Sequence, residues 1–426
     1  MITNHRTMLA TLVIATLTLS ALAGPLTPPA GPIAPTGKTI QEVFDKVAPF
    51  EPRVAINLTN TPGDADSLFK ITQRGSYYLT DNITGAVGKH GIEIAANGVT
   101  IDLMGFDLLG APAMGAFDGV SATVLNLTNI TIRNGSVRAW GDEGVDLGTF
   151  SSINSAVIDV RASNNSGNGI TIGRDSTISG CAARANTGNG ILTGISCLIS
   201  NCTASQNTGN GISTSSGCTI SNCTASLNSG NGISTSNGCM ISNCSAYENI
   251  SSGITIGTGS TITACSAYEN NDNGITAGSG CTISNCTASF NAANGISTGN
   301  GSTISNCIVQ FNSLDGIRVT INCAVLANAC SFNGNGGDGA GIHATDSDNR
   351  IEGNNCTGAD RGIDVDVAGN IIIKNTCAGN TINWVIAANN VVGPILDRRV
   401  PASAAISGNS APDSTGSTHP NANFSY

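Results

Sequence analysis

The sequence predicts an all-β solenoid, a coil of stacked strands with three short strands in every 21-residue rung. Three observations carry that prediction. Three residue columns recur every 21 positions in one register. The repeating unit is made of Gly, Asn, Ser and Thr without a 3.6-residue apolar period, which excludes helical repeats. Proline is missing between Pro112 and Pro394 although both flanks are rich in it. A strand paired on both edges cannot spare its N–H, so a long stacked sheet excludes proline.

Residues 1–23 read as a cleaved secretory signal. His5 and Arg6 precede the apolar run MLATLVIATLTLSALA, which ends in Ala21-Leu22-Ala23. That run falls short of the ~20 residues of a spanning helix, and no other segment reads as a membrane span. Residues 24–37, GPLTPPAGPIAPTG, form a Pro-rich linker. Residues 38–69 form an N-terminal cap region, where TIQEVFDKV is expected as a short helix over the open end of the coil. The coil is expected over 70–395, and 396–426 as a weakly ordered tail.

Inside the coil, the glycine of a Gly-Ile step runs from Gly169 to Gly316 in steps of 21, and more loosely at Gly91, Gly119, Gly144, Gly341 and Gly362. Asparagine runs in the same steps from Asn165 to Asn333, and cysteine from Cys181 to Cys307. In the rung that begins at Gly217, Cys218 and Ile220 share one face of the first strand. A bend at Asn222 resets the alternation, so Cys223 and Ala225 also point inward. Gly232 opens the third strand, with Ile233 and Thr235 inward. One rung cannot bury its own apolar face. Stacking rungs about 4.8 Å apart lets each isoleucine lie on the one before, worth roughly 1.5–3 kcal/mol per side chain. Each turn asparagine can bond to its copies above and below. About thirteen rungs make a rod of roughly 60 Å.

GCTISNCTASLNSGNGIST, beginning at Gly217, resembles the generic repeat of right-handed parallel β-helix proteins. That superfamily includes the pectate lyases and polygalacturonases, and the resemblance covers about residues 70–395. FKITQRGSYYLTDNI and GIEIAANGVTIDLMGFDLLG resemble the opening rungs of secreted members. For activity the resemblance implies two patterns. A lyase of this kind would hold calcium with carboxylates and use arginine or lysine as base; a hydrolase would use paired aspartates. The hydrolase set Asn-Thr-Asp, Asp-Asp, Gly-His-Gly and Arg-Ile-Lys is not found, although DRGIDVDV carries carboxylates.

Cys197, Cys218, Cys239, Cys281 and Cys323 form a second inward column, with Ser176, Ser260 and Ser302 at its other positions. The cysteines spread along the axis instead of converging, which argues against zinc. Parallel Cβ vectors keep neighbouring Cβ atoms about 4.8 Å apart, beyond the usual ~3.8 Å of a disulfide. Small buried thiols are therefore expected, with a disulfide ladder as the alternative in an oxidising compartment.

Candidate chemistry lies away from the middle. Between Asn186 and Leu314 the only charged residues are Glu248, Glu269 and Asp272. Two positions after successive Gly-Ile glycines stand Arg318, His343 and Asp364, which should stack on one outward face as candidate catalytic residues. Asp346, Asp348 and Asp366 are candidate calcium ligands. The alternative for all six is a solvated set of charges. Tyr247 and Tyr268 share one outward column, and Phe290, Phe311 and Phe332 another. These five are candidate carbohydrate-binding residues, with packing along the solenoid edge as the alternative.

The net charge of −10 and the absence of a basic patch exclude a nucleic-acid partner. The function expected is a secreted, periplasmic or cell-surface rod without catalysis, either structural or glycan-interacting, with a polysaccharide or cell-surface glycan as its candidate partner. A polysaccharide lyase or hydrolase acting from the C-terminal rungs is the alternative. An ice-binding surface on the column Thr203, Thr224, Ser245, Ser266, Thr287 is a minor one, because Leu198 and Met240 interrupt the neighbouring column. Nothing in the sequence fixes an oligomeric state.

Overall fold

A computed structural model of the chain describes residues 52–148, 152–334, 336–397 and 419–426. The signal, the linker and the helix expected at TIQEVFDKV lie outside the described residues. Those described form strands and turns, with no helix among them.

The repeat explains the rung. In the unit that begins at Gly217, strands run Thr219–Ser221, Thr224–Ser226 and Ile233–Thr235. Asn222 takes a left-handed φ of 54° between the first two, which is the bend that returns Cys223 and Ala225 to the inside. Each strand pairs in parallel with its copy 21 residues on: Ile220 with Ile241, Ala225 with Ala246, Ile233 with Ile254. The chain thus winds as a right-handed parallel coil. The Gly-Ile strands build a sheet of fifteen, from Ser67–Ile71 to Ile382–Ile386, and the other strands build a sheet of thirty.

Fifteen turns exceed the thirteen or so expected. The extra two, at the ends, carry Leu68 and Asn383 where the other rungs carry the Gly-Ile glycine, so the glycine column undercounts the coil. At about 4.8 Å per turn the rod is about 70 Å long. Its core is the continuous column of buried isoleucines, Ile170 to Ile363, flanked by buried alanine and cysteine.

Three inner corners hold the rungs in register. Asn186 donates its Nδ2–H to Asn207 Oδ1 at 3.0 Å and to the Ala162 carbonyl at 3.2 Å, while its backbone N–H donates to the same Oδ1. The pattern repeats from Asn165 to Asn333, all buried. An amide is needed, because the position must donate and accept at once. The neighbouring glycine is forced by space: a Cβ at Gly211 would lie 2.6 Å from Asn228 Nδ2 and from the Gly232 carbonyl oxygen.

All fifteen cysteines are free and buried. Twelve of them line the other two corners, where sulfur takes the acceptor position. Cys197 N–H points at Cys218 Sγ (3.3 Å), Cys239 N–H at Ser260 Oγ (3.0 Å), and Cys323 N–H at Asn349 Oδ1 (2.8 Å). The column that ends at Cys307 continues as an asparagine ladder through Asn328, Asn354, Asn375 and Asn423. The three remaining cysteines, Cys330, Cys356 and Cys377, stack in a third column at the alanine position.

Both ends differ from the expected boundaries. Val54–Ala55 already pairs with Tyr77–Tyr78, so the coil begins inside the segment expected as cap. At the other end Asn423–Ser425, expected in a loose tail, pairs with Ile395–Asp397 and with Thr376–Cys377. Asn423 explains this, since its Oδ1 completes the ladder below Asn375. No helix of the described residues is long and apolar enough to cross a membrane.

Candidate functional site

The outward face of the fifteen-stranded sheet is built from two columns. Residues before each Gly-Ile glycine form a half-exposed amide ladder: Asn189 N–H donates to Asn168 Oδ1, Asn210 to Asn189, Asn231 to Asn210. Beside it runs a column of serine and threonine, Thr171, Ser213, Ser234, Thr255, Thr276 and Ser297, broken by Leu192. The ladder ends in an acid. Asp315 accepts the Ala340 N–H on Oδ1 at 2.9 Å, in the asparagine manner, and turns Oδ2 to His343.

The strands place Arg318, His343 and Asp364 in consecutive register, as their spacing predicts. His343 lies between two carboxylates: Nδ1 is 2.9 Å from Asp315 Oδ2, and Nε2 is 3.1 Å from Asp366 Oδ2. Carboxylates only accept, so the doubly protonated imidazolium satisfies both contacts. Burial pulls the His343 pKa down, but the hydrogen bonds and charges of Asp315 and Asp366 outweigh it and leave the ring above its ordinary value. Arg318 Nη1 is 3.4 Å from Asp315 Oδ2. Asp364 is buried and paired with Arg361, which also reaches Asp338. At rest this is a network of ion pairs in which Arg318 and His343 share Asp315 Oδ2, with Arg318 Nη1 3.5 Å from His343 Nδ1. Of the two carboxylates on His343, Asp315 is buried and Asp366 is open, its side chain 46% exposed.

Asp366 therefore groups with His343 and Asp364, and the structure does not bring Asp346 and Asp348 to it. Those two sit exposed in the turn after the His343 strand, with Asp346 Oδ1 taking the Ser347 N–H and Asp348 Oδ2 the Ser347 hydroxyl. Calcium takes six to eight oxygens; a histidine and an arginine-paired aspartate beside Asp366 do not fit it. A second acidic group, Asp64, Asp66 and Glu93, already encloses a cation: Lys70 Nζ lies 2.7 Å from Asp64 and 2.8 Å from Glu93. A third, Asp118, Asp142 and Glu143, stands at the opposite end of the amide ladder, where Glu143 N–H donates to Asp118 Oδ1. Burial, a hydrogen bond shared with Asp142 and the nearby Asp118 and Asp146 charges push Glu143 up to about 8.

The aromatic residues gather on another edge. Tyr247 and Tyr268 pair in register, and Tyr268 donates its hydroxyl to Glu269 Oε1 at 2.6 Å. Tyr268 meets Phe290 edge-on at 5.5 Å. Phe290, Phe311 and Phe332 stack, with ring centroids 4.8 and 5.1 Å apart and planes within 14° and 5° of parallel. All three have left-handed backbone, φ 58°, 55° and 52°, and all are exposed. They line a cleft of about 380 Å³ together with Asn312 and Gly358. The expected ice column Thr203 to Thr287 is in register but runs into exposed Ile308.

Sequence spacing missed Asp315, Asp366 and Arg361 as partners of the stack. A signal for Asp315 existed, since it is the acid that ends a column of Asn168, Asn189, Asn210, Asn231, Asn273 and Asn294. Asp366 and Arg361 carry no such periodic mark.

A family model described as the right handed beta helix region matches residues 116–272 and 274–392. Among solved structures the chain is similar to the A-module of mannuronan C-5 epimerase AlgE6 from Azotobacter vinelandii, at 16% identity over 75% of this chain and 90% of that one, TM-score 0.44. It is similar to the periplasmic alginate epimerase AlgG at 13% identity, covering 70% of this chain and 78% of that one, TM-score 0.40. It is also similar to pectate lyase Pel9A at 14% identity, covering 71% and 78%, TM-score 0.35. No curated protein matches the chain.

Proposed function

Because the chain belongs to the right-handed β-helix region family, we propose that it is a secreted rod that binds a polysaccharide or cell-surface glycan along its flank without transforming it. One observation carries this reading. Three successive rungs place phenylalanine, exposed, at a turn whose backbone is left-handed. A bulky side chain there costs about 1–2 kcal/mol per residue; the same turn in other rungs holds Ala185, Gln206, Leu227, Glu248, Glu269 and Gly358, so the three rings are the only aromatic run in the column among the described residues. Stacking returns about 0.5–1.5 kcal/mol per ring pair, so the fold gains little from the arrangement. A half-exposed apolar ladder of this kind suits the C–H face of a sugar. Secretion rests on the segment 1–23.

The test is a glycan array with mature protein and Phe311→Ala. Binding that falls about tenfold or more in the variant supports the reading. Wild-type protein that binds no glycan overturns it.

A second reading has its own support. Asp366 is the exposed clamp on His343 Nε2. A ligand that drew Asp366 aside would leave an imidazolium Nε2–H facing it, held by Asp315 and able to protonate a glycosidic oxygen as general acid. Incubation with uronic-acid and neutral polysaccharides, with and without calcium, checks this. Cleavage lost in His343→Ala and Asp364→Ala would establish it, and an inert wild type across the panel would retire it.

A further inference from the structure

Resting on the glycan-binding reading, we infer that the aromatic groove selects polysaccharides whose sugars carry no carboxylate and rejects polyuronates. The groove is longer than its phenylalanines. A cleft of about 320 Å³ bounded by Glu248, Glu269, Asn271 and Phe290 adjoins the one lined by Phe290, Phe311 and Phe332, and the two share Phe290. Glu248 and Glu269 occupy the same left-handed turn as the phenylalanines, with φ 54° and 52°. One column along five consecutive rungs therefore reads Glu, Glu, Phe, Phe, Phe. The next rung supplies Gly358, where a Cβ would lie 2.6 Å from Phe332 Cδ1, so the ladder ends against bare backbone.

The two halves suit one kind of chain. Ring centroids 4.8 Å apart exceed the ~3.5–4 Å of face contact, so neighbouring rings are slipped or spaced, and all three side chains keep exposed apolar surface for a sugar's C–H groups. Carboxylates accept hydrogen bonds from sugar hydroxyls at the other end. Charge sets the selectivity. Glu248, Glu269 and Asp272 are all the charged residues between Asn186 and Leu314, and all are acidic. That span, which holds every residue lining the two clefts but Phe332, Gly334 and Gly358, contains no cation to pair with a uronate. Two like charges about 4 Å apart repel by about 1 kcal/mol in water, roughly fivefold in affinity per contact, and by more where water is displaced. The repulsion should fade with salt.

Calorimetric titration of the mature protein with a neutral glucan or mannan, polygalacturonate and chitosan tests this, at low and at high salt. Expected at low salt is neutral-chain binding about tenfold or more tighter than polygalacturonate, with chitosan tighter still. In Glu248→Gln/Glu269→Gln the ratio of neutral to uronate affinity should collapse toward one. Polygalacturonate binding as tightly as the neutral chain, or a ratio the double substitution leaves unmoved, overturns the selectivity but spares glycan binding. Failure to bind all three polymers overturns both.

Discussion

Cys239 Sγ accepts the Cys218 N–H at 3.4 Å, and one rung on Ser260 Oγ accepts from Cys239 at 3.0 Å. Asparagine does the same below Cys323. The corner needs an acceptor that reaches the preceding rung, and sulfur, hydroxyl and amide all provide one. Cys239→Ser should therefore change stability by less than about 1 kcal/mol, whereas Cys239→Ala should cost about 1–3 kcal/mol by orphaning a buried N–H; chemical denaturation of both variants decides. The opposite sign is expected at Leu227, exposed with φ 57°. Leu227→Gly relieves a left-handed side chain and should raise stability by up to about 1 kcal/mol. Much of this scale was legible in the sequence: the inward faces of Cys218, Ile220, Cys223, Ala225, Ile233 and Thr235 follow from two-residue alternation and one bend. Left-handed phenylalanine was not, since residue identity argues against it there.

At the scale of strands and their turns, register turned a spacing into a site. Arg318, His343 and Asp364 are adjacent because successive Gly-Ile strands pair without slip, even across the longer rung that carries Gly341. Of the partners that escaped, Asp366 lies in a turn, whose length varies between rungs, while Arg361 opens the strand Arg361–Val365. The two ends of the amide ladder have a shared pH consequence. His343 is raised above its ordinary value, so its contribution is complete below the unfolded pKa near 6.5 and is lost as pH rises through the folded one. Glu143, at about 8 against an ordinary 4.5, holds a proton that the unfolded chain releases, so stability again falls as pH rises between those values. Melting temperature should be higher at pH 5 than at pH 9 by several degrees. Glu143→Gln and His343→Gln should each flatten that dependence, and Glu143→Gln should melt above wild type at pH 8.

For the whole molecule, stability is a sum over rungs and the contacts between neighbours. Removing residues 207–227, one full period, rejoins Gln206 to Asn228 in matching register. The shortened chain should keep its circular dichroism and lose about 4.8 Å of length in small-angle scattering. Removing ten residues from the same place should unfold or aggregate it. The period was readable because so little interrupts it; the exact number of turns was not, because the end rungs replace the marker glycine with Leu68 and Asn383. The strand ladder also has a mechanical consequence. Its interstrand hydrogen bonds point along the axis, so a pull between the two ends loads them one turn after another, as a zip is opened. Each yielding coil of 21 residues would release roughly 70 Å of slack, and a single molecule stretched by its termini would give way in a train of equal small steps, a spring that shields whatever it tethers from sudden load.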